Sequence, residues 1–485
     1  MWRPRSIYAA LVVARLLLSI SPAYIHPDEF FQAPEVVSSD VFGLDALHTW
    51  EFTSKSPVRS IVPIYLYSGT PMVLLKCAQH ALLKFGVQLE LTSTLIFCTT
   101  RLFMALLTFV VDCSIYSTIR RINSSARLRP TMLLLASSHC LAVFHAHTFS
   151  NSFSSIVLAV CFNILSRIEQ GCSARAADVH IGAAPFRVSG SLTCTVLNNY
   201  FYNKDSDNLA THGIHPWYEH SLISMPALFG PLYMLAAIKA WRFIKSPSAR
   251  QGASYTSVAA ALSVMSGLVM LSAVPHQEVR FLLPVLPGII ICTSRWHRLA
   301  PPYFWHLWTV FNALLAVGYG VVHQSGVVPV LRYLSETSVS RSAQCYVQPA
   351  SEDAICKMSP DAYPANSSAD GAGPQLTTHV LFFAAYMAPR HLLVQPNTKP
   401  RMQSRVELVD LVSKTDSEVR DAIRQTFFVM PASVDMERIL PRDSAGYELL
   451  PVYSFAPHVN FDHVLDVLQH PLAKARLDMF LAAAR

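Results

Sequence analysis

The sequence predicts an all-α polytopic membrane protein with roughly eight to eleven transmembrane helices. Of its 485 residues, 52% are hydrophobic and only 14% are charged, whereas soluble domains carry about 25% charged residues. The deficit of charge is concentrated in long windows such as residues 93–119. Residues 389–485 have the composition of an ordinary soluble region. The chain therefore combines a membrane region with a more polar C-terminal region.

Apolar runs give the order of the candidate spans along the chain. They lie near residues 7–22, 61–83, 94–119, 131–148, 152–167, 221–241, 255–275, 280–294, 303–322 and 378–395. Several have only about 15–18 residues, which is short for a hydrocarbon layer about 30 Å thick. We therefore expect several short helices, and the count is left as a range.

Positive charge lies in short loops beside the spans, at Arg3 and Arg5, at residues 120–129 and at residues 242–250. Such clusters mark the cytosolic side of a membrane protein, so the net charge of +7 does not indicate a nucleic-acid partner. The first apolar run, whether an uncleaved helix or a signal peptide, places the residues after it on the lumenal side. We expect a first lumenal loop over residues 23–60.

The chain divides into a membrane region, residues 1–330, a lumenal linker, residues 331–377, and a C-terminal region, residues 378–485, which we also expect to be lumenal. Cys345 and Cys356 share the linker and can form a disulfide in an oxidising compartment. Residues 406–428 have a helix-like amphipathic pattern.

Two ionisable residues, Arg101 and Asp112, lie in one apolar window. A charge at the bilayer centre costs at least about 2.5–3.5 kcal/mol. In a helix the two side chains share a face but lie about 16 Å apart along the axis, too far for a direct ion pair. Each needs another partner or a position at the interface. Alternatively, Arg101 faces a polar cavity and contacts an anion.

A polar quartet precedes the apolar run near residues 280–294. It consists of His276, Gln277, Glu278 and Arg280. Pro275 and Glu278 fit the first turn of a helix. An arginine beside a helix N-terminus favours phosphate, because its charge adds to the free backbone N–H groups. We therefore expect either a helix start or an anion site.

Three histidines, His212, His215 and His220, lie with Glu219 in the stretch NLATHGIHPWYEH, residues 208–220. Imidazoles are suitable metal ligands. However, Gly213 and Pro216 interrupt any helix that would set the ligand spacing, and no second ligand motif accompanies the stretch. A lumenal loop that contacts a polar substrate is the preferred interpretation, and no metal is assigned.

The stretch YIHPDEFFQAPEV, residues 24–36, places two adjacent acids directly after the first apolar run. Pro27, Asp28 and Glu29 suit the first turn of a helix, where acids stabilise the dipole. Adjacent helical residues point about 100° apart, so only one of the two acids can face a given site. A carboxylate at the membrane surface also suits a general base acting on a hydroxyl.

Several motifs together resemble the glycosylphosphatidylinositol (GPI) mannosyltransferases of glycosyltransferase family 22. They are HPDEFFQAPEV (26–36), LNNYFYN (197–203), NLATHGIHP (208–216), PHQEVRFLLPVLP (275–287), HQSGVVP (323–329) and, more faintly, AAYMAPR (384–390). HPDEFFQ and HQEVRF are typical of the family, whereas HGIHP and HQSGVVP favour the branch that adds the fourth mannose of the GPI core.

The resemblance implies a GT-C enzyme of the ER membrane whose active site faces the lumen. Its donor would be dolichyl-phosphate mannose, and its acceptor the third mannose of a GPI precursor glycolipid, joined by an inverting α-1,2 transfer. Asp28, with Glu29 second, would be the general base. The residues expected to bind substrate are His26, Arg101, His212, His215, His276, Gln277, Glu278 and Arg280. No metal or other cofactor is required.

The sequence departs from the family pattern at two places. Trp217 follows HGIHP, where an arginine is usual, and His147 and Ser154 flank residues 150–152, where an arginine and an acid are expected. These departures leave the acceptor open. The alternatives are the third-mannose GPI enzyme and an N-glycan precursor mannosyltransferase. A membrane transporter is less favoured, because the acids cluster at segment ends and no internal repeat is apparent. A non-catalytic scaffold would tolerate amides at both acids.

Overall fold

A computed structural model describes most of the chain, with its helices before residue 341 and its strands after it. The described residues are 4–53, 57, 59–122, 128–174, 215–245, 254–294, 303–340, 345–347, 354–356, 376–383, 385–394, 404–411, 427–431, 449–461 and 479–484. Contacts divide the chain into two units. The first unit comprises Met1–Ile20, His48–Pro71 and Thr100–Ala316, and the second unit comprises Ser21–Leu47, Met72–Thr99 and Val317–Arg485.

The described part of the chain before residue 341 is largely helical. Its α-helices are α1 (Pro4–Ser19), α2 (Asp28–Phe31), α3 (Pro34–Phe42), α4 (Trp50–Thr53), α5 (Ile61–Ile64), α6 (Thr70–Lys84), α7 (Ser93–Ile122), α8 (Leu128–Ala136), α9 (His139–Ala142), α10 (Ser150–Ala174), α11 (Met225–Phe229), α12 (Pro231–Lys245), α13 (Tyr255–Ser272), α14 (Val285–Thr293), α15 (Tyr303–Val317) and α16 (Val327–Ser340). Short π-helical turns extend α5, α11 and α15, at Tyr65–Gly69, His220–Ser224 and Gly318–Val322.

Five helical stretches among the described residues are long and apolar enough to cross a membrane. They are Ile61–Lys84, Ser93–Ile122, Ser150–Gly171, Tyr255–Ser272 and Tyr303–Val322. Each coincides with an apolar run that the sequence identifies as a candidate span. The prediction of several membrane-spanning helices is therefore confirmed, and the total of eight to eleven stays a prediction.

Other apolar runs fold into shorter or broken helices. Residues 131–148 contain the end of α8, the four-residue α9 and a 3₁₀ turn at Phe144–Ala146. Residues 221–241 break at Gly230, which separates α11 from α12 and has a positive φ of 46°. A Cβ at Gly230 would lie 2.7 Å from the ring of Phe311, so the break depends on the absence of a side chain. Apolar composition alone does not distinguish a continuous helix from a broken one.

The C-terminal region contains β-strands, so the expectation of an all-α chain is wrong there. Five strands of this region are β3 (Leu376–Phe382), β4 (Ser404–Asp410), β5 (Phe427–Pro431), β6 (Leu449–Phe455) and β7 (Met479–Ala484). They form one sheet in the order β4-β3-β5-β7-β6. β3 runs parallel to both β4 and β5, and β7 is antiparallel to β5 and β6.

Two sequence expectations change because of this sheet. The candidate span 378–395 contains the end of β3 and a 3₁₀ turn at Arg390–Leu393 instead of a membrane helix. Residues 404–410, at the start of the proposed amphipathic helix, form strand β4. There Val406 and Leu408 are buried while Glu407 between them is exposed, which is the two-residue period of a strand.

A further two-stranded hairpin precedes the sheet. β1 (Cys345–Val347) pairs with β2 (Ala354–Cys356) in an antiparallel register that places Cys345 opposite Cys356. Directly opposed residues of an antiparallel pair have Cα atoms about 4.5–5.5 Å apart, within the range that a disulfide spans. The backbone register is therefore compatible with the predicted disulfide.

Buried charges in the first unit are matched across its helices. Arg15 of α1 donates to Asp112 of α7, with 2.5 Å between Nη1 and Oδ2, and to the hydroxyl of Thr108 at 3.0 Å. Both charged side chains are almost fully buried. Asp112 therefore has an ion-pair partner on another helix, as expected for a charged residue in an apolar run. Arg101 is also fully buried in α7, so it does not reach water at the membrane surface.

Candidate active site

The two acids of the first predicted lumenal loop lie on the four-residue helix α2, with Pro27 at its N-cap. Their side chains point in different directions, as the 100° step of a helix requires. Glu29 is fully buried, whereas 23% of the Asp28 side chain is exposed. Pro27 makes no side-chain capping hydrogen bond to α2. Asp28 is therefore the acid that an external substrate can approach.

Two neighbours hold Asp28 within the second unit, one at its carboxylate and one at its backbone N–H. Gln32, one turn later on the chain, donates its side-chain amide to Oδ2. His26 accepts the backbone N–H of Asp28 at Nδ1, at 3.2 Å, and the same nitrogen lies 3.7 Å from Oδ1. An Nδ1 that accepts a hydrogen bond places the proton of a neutral imidazole on Nε2. His26 is partly exposed, so both side chains line an accessible surface.

Aromatic side chains from two distant motifs support this helix. Tyr24 packs edge-on against Phe30 and against Tyr386, which belongs to the AAYMAPR motif. Its hydroxyl donates to the carbonyl of Met387 at 2.9 Å. Burial, together with the nearby charge of Glu29, raises the pKa of Tyr24 well above its usual value. Tyr24 consequently stays a neutral donor and holds the start of the loop.

The HQSGVVP motif lies beside the same aromatic side chains. His323 contacts the Tyr386 hydroxyl through Nε2, at 3.2 Å, and its carbonyl accepts the backbone N–H of Tyr24 at 3.1 Å. Its Nδ1 accepts the backbone N–H of Phe461, whose ring stacks on the imidazole with 5.0 Å between centroids. Three motifs of the sequence resemblance therefore meet in the second unit, at residues 24–36, 323–329 and 385–390.

Glu35 of α3 and His391 add a buried link between the first loop and the C-terminal region. The Glu35 Oε1 atom lies 3.0 Å from His391 Nδ1 and also accepts the His391 backbone N–H at 3.2 Å. Oε2 accepts the backbone N–H of Leu47 at 2.9 Å. Both side chains are buried. This carboxylate fixes α3, which follows the acid-bearing helix α2 directly.

The predicted polar quartet lies in the first unit and is linked by charge. Glu278 bridges His276 and Arg280: its Oε1 is 2.7 Å from His276 Nε2, and its Oε2 accepts from Arg280 Nε. His276 and Glu278 are partly exposed, whereas Arg280 is buried. The carboxylate therefore fixes the positions of an imidazole and a guanidinium side by side.

Gln277 connects the quartet to the histidine loop. Its amide nitrogen donates to the carbonyls of Val274 and Pro216, at 3.2 and 3.3 Å, and its oxygen accepts the backbone N–H of His220 at 3.1 Å. The Nδ1 atom of His215 accepts the backbone N–H of Gln277 at 3.3 Å. Gln277 is buried. Its amide therefore fixes the loop geometry and brings His215 beside His276, with 6.2 Å between ring centroids.

The expectation that a helix starts at Pro275 is wrong. Residues 275–278 form a bend and extended backbone, Glu278 precedes a 3₁₀ turn at Val279–Leu282, and α14 begins only at Val285. Glu278 makes its ion pairs with side chains instead of stabilising a helix start. His212, the remaining predicted histidine, lies outside the described residues.

Sequence reasoning identified the acids and the quartet but missed several residues that hold them. Tyr24, Gln32, Glu35, Tyr386 and His391 were not assigned to the site. Gln32 had a local signal, since it follows Asp28 by four residues on one predicted helix. The contacts of Glu35 and Tyr386 join residues far apart in the chain, and one sequence contains no signal for them.

Comparison with known proteins identifies related sequences over most of the chain. The sequence model of the Alg9-like mannosyltransferase family matches residues 6–179 and 186–359. The curated protein "GPI mannosyltransferase 4" of Aspergillus oryzae is 27% identical, over 95% of this chain and 94% of its own. The protein of the same name from Emericella nidulans is 28% identical, over 99% and 98%.

A third relative, "GPI mannosyltransferase 4" of Yarrowia lipolytica, is 29% identical over 69% of this chain and 73% of its own. No solved structure matches the chain. The resemblance to the family-22 GPI mannosyltransferases, and within them to the fourth-mannose branch, is confirmed by these relatives.

Proposed function

Because the chain belongs to the Alg9-like mannosyltransferase family, and is therefore a glycosyltransferase, we propose that it adds the fourth mannose of a GPI precursor. The donor is dolichyl-phosphate mannose, and the new bond is an α-1,2 linkage to the third mannose. The names of the relatives support the GPI pathway, and the five long apolar helices suit a reaction between two lipid-linked substrates in the ER membrane.

The observation that carries the mechanism is the different environment of the two acids on α2. Asp28 is partly exposed, with its carboxylate held by Gln32 and its backbone N–H by His26, whereas Glu29 is buried. A general base must reach the proton that it removes. Asp28 therefore takes the proton of the attacking hydroxyl, and Glu29 supports the helix from the interior.

The transfer is one inverting displacement. The hydroxyl oxygen of the acceptor forms a bond to C1 of the donor mannose, its proton passes to the Asp28 carboxylate, and the bond from C1 to the phosphate oxygen breaks. Dolichyl phosphate leaves with the electron pair of that bond. Developing negative charge on a phosphate is stabilised by fixed cations and N–H donors. Arg280 and His276, held by Glu278, supply them, and Arg101 is a further cation of the first unit.

The lumenal face is the proposed side of catalysis. Residues 23–60 follow the first apolar helix and carry Asp28, while His215 and His276 lie together in loops between helices of the first unit. His215 contacts the acceptor sugars in this proposal, and His212 joins it from the same sequence motif. We propose that shorter spans beside the five long helices bring the total to eight or more.

Transfer assays with defined acceptors test this function. Microsomes from cells that express the chain are supplied with dolichyl-phosphate mannose and GPI precursors of two or three mannoses. We expect a four-mannose product from the three-mannose precursor, with a terminal mannose released by an α-1,2-specific mannosidase. Extension of the two-mannose precursor instead would assign the chain to the third-mannose reaction. No transfer to either precursor would contradict the proposed acceptor.

A further inference from the structure

Three arginines of the first unit lie together where α7 ends beside α10, and we call them the arginine cluster. Arg120 and Arg121 occupy the last turn of α7, and Arg167 lies on α10. Nη1 of Arg121 donates to the side-chain oxygens of Asn163, at 2.6 Å, and Ser166, at 3.1 Å. Asn163 and Arg167 are one turn apart on the same face of α10. The side chain of Arg167 therefore lies beside the Arg121 guanidinium.

No described acid matches the positive charge of this cluster. Arg120 and Arg167 lie close enough to Arg121 for their charges to repel its own. None of the ion pairs among the described residues includes any of the three arginines. The two acceptors of Arg121 are a neutral amide and a neutral hydroxyl, so they orient its side chain without offsetting its charge. A bound anion would remove this repulsion.

Helix dipoles and the nearest acid on α10 do not neutralise the cluster either. The negative end of α7 offsets about half a charge, and a dipole acts only within the last turn. Arg167 precedes Ala174, the last residue of α10, by about two turns. Glu169 accepts from the backbone N–H groups of Tyr255 and Thr256, at 2.8 and 3.0 Å, and from the Thr256 hydroxyl at 2.6 Å. Its carboxylate therefore serves the start of α13.

The cluster lies at the level of a membrane surface. α7 has 30 residues and is about 44 Å long, which exceeds a hydrocarbon layer of about 30 Å. On α10, Arg167 is about 26 Å from Ser150 along the helix axis. Arg120 and Arg167 are both exposed. The basic loop at residues 120–129 predicts that this surface is cytosolic, where the leaflet carries anionic phospholipids.

Exposed apolar side chains lie one turn deeper on both helices. Tyr116 of α7 is 44% exposed and Ile164 of α10 is 52% exposed. Helical spacing places Tyr116 below Arg120 and Ile164 below Arg167. Guanidinium groups at the surface and apolar side chains beneath them match a phospholipid, whose phosphate lies at the interface and whose acyl chains follow the helices. A soluble anion would contact only the arginines.

We infer that the arginine cluster binds an anionic phospholipid, with its phosphate between Arg120 and Arg167 and its acyl chains along Tyr116 and Ile164. Nη1 of Arg121 is directed to α10, while its Nε and Nη2 have no acceptor among the described residues and are available to the phosphate. A zwitterionic phospholipid fits less well, because its ammonium group would lie beside the arginines. The bound lipid would fasten α7 to α10 at this surface.

Photo-crosslinking in a bilayer tests the site directly. The full-length protein is placed in phosphatidylcholine nanodiscs with phosphatidylinositol that carries a diazirine near the glycerol end of one acyl chain. We expect labelling of residues 113–120 and 161–168 that excess unlabelled phosphatidylinositol removes and added phosphatidylcholine does not. Glycerophosphoinositol, which has the same phosphate but no acyl chains, should compete at least about tenfold more weakly, because it buries no apolar surface.

Paired variants separate a site from general surface charge. Arg120→Gln with Arg167→Gln removes two exposed charges of the cluster and should reduce labelling at least about tenfold, because two charge-assisted hydrogen bonds are lost. Arg5→Gln with Arg129→Gln removes two exposed arginines of α1 and α8, so it changes the net charge equally. This control should be labelled as wild type is. An equal loss in both pairs would assign the labelling to surface charge and overturn the site.

Two further results would overturn the inference without any variant. Equal labelling of the same residues by a diazirine-bearing phosphatidylcholine would show ordinary contact with the bilayer. Equal competition by glycerophosphoinositol would show an anion site that needs no lipid. None of these measurements depends on mannose transfer, so failure of the proposed acceptor would leave the phospholipid site standing.

Discussion

Glu35 and His391 lie 356 positions apart in the chain, yet they form a buried pair with 3.0 Å between Oε1 and Nδ1. The same carboxylate accepts the backbone N–H groups of His391 and Leu47. A buried carboxylate needs such partners, because it has lost its contacts with water. The pair therefore joins the loop that carries Asp28 to the C-terminal region, so that region supports the proposed site.

Glu35→Gln should weaken this support. Both carboxylate oxygens of Glu35 accept hydrogen bonds, but the side chain of glutamine has only one oxygen. Its NH2 group, a donor, would therefore lie against the N–H of Leu47 or the donors of His391, and one hydrogen bond would be lost. We expect a loss of about 1–3 kcal/mol in the free energy of unfolding and a lower kcat with little change in donor KM, because the effect on Asp28 is positional. Glu90→Gln, an exposed glutamate of the same unit, is the control. A normal kcat for Glu35→Gln would limit the pair to a structural role.

The buried pair of Arg15 and Asp112 gives a prediction about stability alone. Asp112→Asn leaves the arginine of α1 without its countercharge, and breaking such a pair costs about 3–5 kcal/mol. We expect a lower yield of monodisperse protein and a lower midpoint of thermal unfolding in detergent. The double variant Arg15→Met, Asp112→Leu should recover most of the loss. A double variant as unstable as Asp112→Asn would indicate that packing, not charge, sets the cost.

His458 should make the stability of the second unit depend on pH. It is buried and accepts the backbone N–H of Gly326 at Nδ1, at 3.0 Å. Burial, with the charge of His323 as the smaller cause, lowers the pKa of His458 from 6.5 to about 3. The unfolded chain therefore binds a proton below pH 6.5 that the folded chain rejects, and stability falls as pH decreases from 6.5 towards 3.

Between pH 7 and pH 5 this histidine alone should remove about 2 kcal/mol. His458→Gln keeps an acceptor but does not titrate in this range, so the variant should lose less stability over the same interval. The measurement is the free energy of unfolding of both proteins at the two pH values. Parallel losses in the two proteins would show that His458 is not responsible.

The opposed positions of Cys345 and Cys356 in the β1–β2 hairpin predict a disulfide. Non-reducing peptide mapping of protein purified from the ER membrane should recover the two cysteines in one linked peptide. Cys345→Ser should make Cys356 reactive to alkylation. Cys77 and Cys113, which are free and lie in membrane-spanning helices, serve as internal controls for alkylation after the protein is denatured. Recovery of both linker cysteines as free thiols would contradict the prediction.

The sequence predicted much of the membrane region and less of the C-terminal region. Five apolar runs folded as the expected long helices, because an uncharged run of that length has few other stable forms in a bilayer. The breaks after α8 and at Gly230 depend on packing against other helices, which composition does not record. The strand β4 was mistaken for part of a helix, since Val406, Leu408 and Val409 fit both periods in a short window.

For the candidate site, the sequence located residues but not their partners. Asp28 and Glu29 were recognised as alternatives, and helical geometry required them to diverge. Which of them faces outward followed only from the packing around Tyr24 and Phe30. Likewise, Glu278 was assigned to a helix start, whereas its ion pairs with His276 and Arg280 became apparent only in the folded backbone.

The role of Asp28 is the central claim, and transfer by Asp28→Asn tests it most directly. Mannose transfer from dolichyl-phosphate mannose to a three-mannose GPI precursor is compared in microsomes matched for expression. Asp40→Asn, an exposed aspartate on α3, is the control. We predict that Asp28→Asn lowers the rate by about 10²–10⁴-fold while Asp40→Asn keeps the wild-type rate. Equal four-mannose product from Asp28→Asn and wild type would contradict the account and leave Glu29 as the candidate base.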